Sequence, residues 1–113
     1  MDEDRKDFLL GRLYLPGGEG VNAKAKGTRN EHRSMALYET LGYSTIRSAA
    51  SLGPWDWIAW NKHEIVFGQT KTGRWPGTGE MELIQEAILP PHARKVVHRW
   101  MPGKHKPDVR EVS

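Results

Sequence analysis

The chain has 113 residues, a hydrophobic fraction of 37% and a formal net charge of +3, proportions of one small domain with a single packed core rather than a disordered tail. No run of about eighteen apolar residues occurs, so nothing reads as a bilayer span, and the acidic Met1-Asp2-Glu3-Asp4 start lacks the basic and apolar regions of a secretory signal. Cysteine is absent, which excludes disulfide staples and thiolate metal sites and fits an intracellular, cytoplasmic protein.

Residues 1–24 read as an N-terminal extension or arm, ahead of a single domain over 25–113. Phe8-Leu9-Leu10 and Leu13-Tyr14-Leu15 are apolar, but Pro16-Gly17-Gly18-Glu19-Gly20 breaks the chain directly after them. Thr28 with Glu31 three residues later has capping-box spacing, predicting a helix from there to about Leu41, with Met35, Leu37, Tyr38 and Leu41 as its apolar stripe and Gly42 as its stop. Tyr43 to Ala49 reads as a strand and Ser51-Leu52-Gly53-Pro54 as a turn. Trp55 to Trp60 and Glu64 to Thr72 are two further strands, joined tightly through Asn61-Lys62-His63 into an antiparallel hairpin. After the Arg74–Gly79 loop, a helix over Glu80–Leu89 halts at Pro90-Pro91. Arg94 to Met101 is strand-like, and Val109–Val112 can pair with it. The order is αβββαβ with one possible extra strand, which makes the fold class α/β: a central mixed β-sheet flanked by helices.

Charge is unevenly spread. From Pro91 onward Arg94, Lys95, Arg99, Lys104, Lys106 and Arg110 face only Asp108 and Glu111, a balance that suits a polyanion or, equally, a solubilising surface. There are five tryptophans, most of them expected in the core or an interface because indole rings bury so much area. Trp75 could wedge or stack at a nucleic-acid branch, but plugging the sheet end against the second helix is the commoner use of such a residue.

The chemistry concentrates on the hairpin. Alternation along a strand puts Gln69 and Lys71 on one face and Thr70 on the other. A carboxylate from the neighbouring strand, Asp56, would then lie beside an amide oxygen and an ammonium. With the Thr70 carbonyl, and Glu31 from the helix, this set offers hard oxygen donors for a divalent cation and a lysine for phosphate or water. Taken singly each residue has a plainer use: Glu31 in the capping box, Asp56 in a surface pair, Lys71 as a solvated strand charge.

Lys26-Gly27, Glu31, Gly42-Tyr43, Arg47-Ser48-Ala49-Ala50-Ser51, Asp56 and Gln69-Thr70-Lys71, in this order and spacing, resemble the archaeal-type Holliday junction resolvases of the PD-(D/E)xK nuclease superfamily. The resemblance covers about residues 26 to 72. It implies a restriction-endonuclease-like αβββαβ core and a homodimer that nicks four-way DNA junctions with Mg²⁺ or Mn²⁺. It matches Glu31, Asp56 and Lys71 to the family's metal-binding and catalytic positions and Ser51 to its catalytic loop; joined to the donors read above, the expected metal set is Glu31, Asp56, Gln69 and Thr70 and the expected catalytic set is Glu31, Asp56, Gln69, Lys71 and Ser51. Arg47 and Ser48 would lie at the junction backbone, with Ser51 on a mobile loop. Lys24, Lys26, Arg29, Arg33, Arg74, Trp75, Arg94, Lys95 and Arg99 complete the expected DNA contacts. Neither a membrane nor a nucleotide cofactor is expected. Two departures stand out. Pro54 sits one residue early, and Gln69 replaces an acidic ligand, which removes a negative charge from the metal site.

A dimer would need an exposed apolar patch, for which Trp55, Trp57 and the N-terminal segment are the candidates. Two other readings remain open: a flap, fork, restriction-type or RNA-processing nuclease, and a non-catalytic DNA-binding module with a degenerate site, for which Gln69 is the argument.

Overall fold

A computed structural model of the protein describes residues 19–48 and 53–113, with side chains described from residue 25 onward. The expected arm over residues 1–18, Ser51 and the side chain of Lys24 lie outside what is described. Helix α1 spans Glu19–Thr40, followed by strands β1 (Ser44–Arg47), β2 (Trp57–Trp60) and β3 (Ile65–Thr72), helix α2 (Thr78–Glu86), and strands β4 (Ala93–Trp100) and β5 (Asp108–Val112). The five strands form one mixed sheet in the order β1-β2-β3-β4-β5. Only β3 and β4 run parallel, joined by α2 as the crossover; the other neighbours are antiparallel. This is the expected αβββαβ order with the extra strand present.

Thr28 does not cap α1. The helix begins upstream at Glu19, so Thr28 and Glu31 occupy interior positions and the capping-box spacing is coincidental. Its C-terminus does follow the expectation. Gly42 takes φ +92°, and the amides of Gly42 and Tyr43 bond back to the carbonyls of Glu39 and Tyr38, a Schellman closure that needs glycine at the left-handed position. Leu41, expected in the apolar stripe, is 72% exposed at that turn.

Alternation along the central strands builds two cores. On the α1 face, Trp57, Ala59, Val66 and Val96 are buried beneath Met35, Tyr38 and Tyr43. On the α2 face, Trp55, Ile84 and Val97 are buried with Phe67, Trp75, Met81 and Val112 against them. Trp55 and Trp57 are therefore core residues on opposite faces, not an exposed patch. The reason lies across the hairpin: Trp57 pairs with Gly68, and a Cβ on Gly68 would come within 2.1 Å of the indole ring. The absent side chain is the space that Trp57 fills.

Beneath α1 runs a buried polar seam. Trp57 Nε1 donates to Thr70 Oγ1 (2.8 Å), Trp100 Nε1 donates to Ser34 Oγ (2.8 Å), and His98 Nδ1 lies 2.9 Å from the same hydroxyl. Asn30 Nδ2 donates to Thr72 Oγ1 at 2.8 Å. These bonds fix the rotation of α1 on the sheet, and thereby the direction in which Glu31 projects.

Candidate active site

Asp56 precedes β2 yet continues its ladder. Its amide donates to the Gly68 carbonyl and its carbonyl accepts from Ser48 N–H, both at 2.8 Å. That tie holds the carboxyl over the end of β3, where Oδ2 accepts the Thr70 amide at 2.8 Å. Burial pushes the Asp56 carboxyl up to about 6, opposed by the Thr70 amide; Glu31 raises it further, while Lys71 and Arg47 lower it. One carboxyl thus feels a second acid from α1, an ammonium from β3 and a guanidinium from β1.

Glu31 is held by Arg47, whose Nε lies 2.9 Å from Oε1 and whose Nη2 lies 3.4 Å from Thr28 Oγ1. Gln69 is buried at 8% exposure. Its Nε2 donates to the Pro54 carbonyl at 3.1 Å, and a carbonyl can only accept, so the orientation of the amide is settled chemically. Gln69 Oε1 is then buried without a hydrogen-bond partner among the described residues. Thr70 points its hydroxyl to the α1 face, as strand alternation requires, within 3.3 Å of Ser34 Oγ.

Lys71 meets a residue that the motif reading did not single out. Its Nζ lies 3.0 and 3.2 Å from the two oxygens of Glu80, on the first turn of α2. Lys71, foremost, then the Gly77 amide, hold the Glu80 carboxyl below the usual range. The available signal was local: Glu80 is the first acid after Gly77, at N-terminal capping distance, and an acid there turns back toward the strand that feeds the helix.

The expected DNA contacts separate into groups. Arg47 and Ser48 border Asp56. Lys26, Arg29 and Arg33 lie on α1, where Arg33 bonds Asn30 and the Lys104 carbonyl. Arg74 is exposed after β3. Trp75 serves as the plug: it packs on the α2-side core with the guanidiniums of Arg99 and Arg110 over its ring, at 4.6 and 4.3 Å. Arg94 is committed to Glu64 and Glu111, and Lys95 Nζ donates to the Gln85 carbonyl at the end of α2. Those two residues stand at the far end of β4, since Lys71 pairs in register with Arg99.

The donor set tests whether a divalent cation fits. Among the described residues no group of three His, Asp or Glu is placed to hold a metal. The groups present are nonetheless all oxygen donors: Asp56 with a second oxygen to offer, the unpartnered Gln69 Oε1, the Thr70 carbonyl and Glu31. A buried acceptor lacking a donor suits a cation that takes one or two carboxylates and otherwise neutral oxygens, as Mg²⁺ does. By donor type the set fits a hard cation.

No family model matches the chain, and no curated protein matches it. Among solved structures it is similar to Hjc of Archaeoglobus fulgidus, a Holliday junction resolvase from an archaeal hyperthermophile. The TM-score is 0.59 at 22% identity, over 77% of this chain and 71% of that one. The two proteins share a fold. No described helix is long and apolar enough to cross a membrane.

Proposed function

We propose that this chain is a divalent-metal-dependent DNA endonuclease whose substrate is a branched duplex, the four-way junction foremost, and that it acts as a homodimer. The observation that carries the reading is the coupling of Asp56 to Glu31 and Lys71, beside the unpartnered Gln69 oxygen, in a fold shared with a junction resolvase. Bound at these oxygens, Mg²⁺ or Mn²⁺ would neutralise charge on the scissile phosphate and acidify an attacking water.

The chain's own groups divide the rest of the work. Asp56, held by the Thr70 amide, supplies the fixed anionic ligand, and Gln69 supplies a neutral oxygen whose direction Pro54 sets. Lys71 can exchange Glu80 for a non-bridging phosphate oxygen, because a half-exposed carboxylate competes weakly with a bound phosphate. Glu31, steered by Arg47, supplies the second carboxylate from the helix side. Paired incisions at a branch with near two-fold symmetry call for two such sites related by a C2 axis.

The deciding experiment is a cleavage panel of duplex, flap, fork and four-way junction, with and without Mg²⁺, for the wild type and Asp56→Asn. Mg²⁺-dependent cutting of the junction that disappears in Asp56→Asn, with binding retained, is the expected result. Preference for flap or fork would reassign the substrate. Absence of cutting in both proteins would favour a non-catalytic DNA-binding module.

A further inference from the structure

The basic C-terminal region is not uniform in three dimensions. Arg94 and Lys95 lie at one end of β4 and are engaged, whereas the connection from β4 to β5 stands at the other end, beside Lys71. There Lys71 pairs with Arg99 and Thr72 with Trp100, Gly73 N–H donates to the Trp100 carbonyl (2.9 Å), and Arg99 pairs with Asp108 to close the hairpin. The hairpin presents Lys104, His105 and Lys106, all exposed. None of the ion pairs among the described residues includes them. The nearest acid in sequence, Asp108, is held by Arg99 at 2.7 Å.

This hairpin is also braced. Gly103 adopts φ +76°, Lys104 N–H donates to the Met101 carbonyl at 3.2 Å, and prolines stand at 102 and 107. Arg33 of α1 donates to the Lys104 carbonyl at 2.9 Å while its guanidinium lies 3.8 Å from the Trp100 ring centroid. Arg33 is joined in turn to Asn30, and Asn30 to Thr72. The opposite end of the same sheet carries the carboxylates of Glu64 and Glu111 around Arg94. Ion pairs thus take up Arg94 at that end, whereas Lys104 and Lys106, at the end that holds the candidate active site, stand outside the ion pairs among the described residues.

We infer that the β4–β5 hairpin is a preformed grip for the sugar-phosphate backbone of the duplex flanking the cut, with Lys104 and Lys106 as phosphate ligands and His105 as a further donor. This inference rests on the DNA-cleavage reading above and assigns it a contact surface. Only Trp100 continues β4 past the level of Lys71 before the chain turns at Met101–Lys104, so the grip falls on the duplex immediately flanking the scissile phosphate. Bracing by Arg33 means that little freedom is lost on binding, so the contact operates as an anchor rather than a flexible tail.

The test is the salt dependence of four-way junction binding in EDTA for the wild type, Lys104→Ala/Lys106→Ala and Lys62→Ala, an exposed lysine at the opposite end of the sheet. Each phosphate contact contributes about 0.9 to the slope of log K against log salt, so the double variant is expected to lose nearly 2 and Lys62→Ala almost nothing. Methylphosphonates placed singly along the duplex flanking the cut should weaken the wild type at one or two positions and leave the double variant unaffected at those positions. An unchanged slope in the double variant, or an equal loss from Lys62→Ala, would overturn the hairpin assignment while leaving junction cleavage intact. A wild type that binds no DNA would overturn both readings.

Discussion

The ammonium of Lys71 is held by both oxygens of Glu80, at 3.0 and 3.2 Å, so the one lysine at the candidate active site is neutralised by a residue from a different element. Any phosphate that reaches Lys71 must displace that carboxylate. Glu80→Gln removes the competitor while keeping an acceptor for the Gly77 amide. Junction binding in EDTA should tighten several-fold at low salt, and the melting temperature should change little, since exposed ion pairs contribute only about 0–1 kcal/mol. Unchanged affinity would mean that Lys71 does not meet the phosphate.

Ser34 is the hub of the seam beneath α1. The Trp100 indole and the Thr70 hydroxyl both donate to Ser34 Oγ and occupy its lone pairs, which leaves the Ser34 hydroxyl proton for His98 Nδ1 as the acceptor of a neutral imidazole. Ser34→Ala leaves the Trp100 N–H buried without its acceptor, at a cost of about 1–3 kcal/mol in urea unfolding. A value near zero would contradict the bookkeeping. Burial also depresses His98 from 6.5 to about 4. The unfolded chain then binds more protons between those values, so this residue's contribution is complete above pH 6.5 and falls as pH drops toward 4, by up to about 3 kcal/mol.

Asp56 has the opposite sign. Its folded value near 6 lies above the ordinary 3.8, so the folded chain holds the proton more tightly and stability falls as pH rises from 3.8 to 6. The two slopes oppose each other over most of that window, and the metal-free wild type should show a nearly flat urea midpoint there. Asp56→Asn should be more stable than the wild type at pH 7.5 in EDTA by about 1–2 kcal/mol after solvent screening. Its midpoint should climb steadily between pH 4 and 6.5. A destabilised Asn variant would show that the carboxylate is well solvated.

Gln69→Glu restores the acid that the motif leads one to expect, but places it against the Pro54 carbonyl and near Asp56. In EDTA the variant should lose about 1–3 kcal/mol from the unpaired buried charge. Mg²⁺ should recover that loss, and calorimetry should show tighter Mg²⁺ binding than in the wild type. A variant that Mg²⁺ stabilises no more than the wild type would remove Gln69 from the ligand set.

Gly68→Ala inserts a methyl 2.1 Å from the Trp57 ring, which is pinned by its bond to Thr70. Overpacking against a fixed indole should cost about 2–3 kcal/mol, with loss of native tryptophan fluorescence before loss of helix signal. A fully stable variant would show that Trp57 can swing aside.

Strand order was legible because the hairpin strands alternate cleanly and because glycine and proline mark their ends. Alternation also separated Gln69 and Lys71 from Thr70, whereas Asp56 lies ahead of β2 and is held to β3 by the Thr70 amide. The start of α1 was not legible: Thr28 and Glu31 imitate a cap, and only the helix continuing upstream shows that they do not form one. Burial of Trp55 and Trp57 was hidden for another reason. An indole on a strand reads equally as core or as surface patch until the glycine opposite Trp57 is known to be its cross-strand partner. Glu80 escaped notice because its link to Lys71 runs through the turn into α2, a relationship that strand periodicity does not encode.

The parallel pairing of β3 with β4 has a kinetic consequence. Asp56 and Thr70 belong to a hairpin whose ends meet after a short loop, so their hydrogen bond can form early in folding. Lys71 acquires Glu80 only once α2 forms, and β4 docks only after the whole crossover has been closed, which slows the step. The oxygen-donor half of the pocket should therefore gain amide protection before the half that holds the lysine.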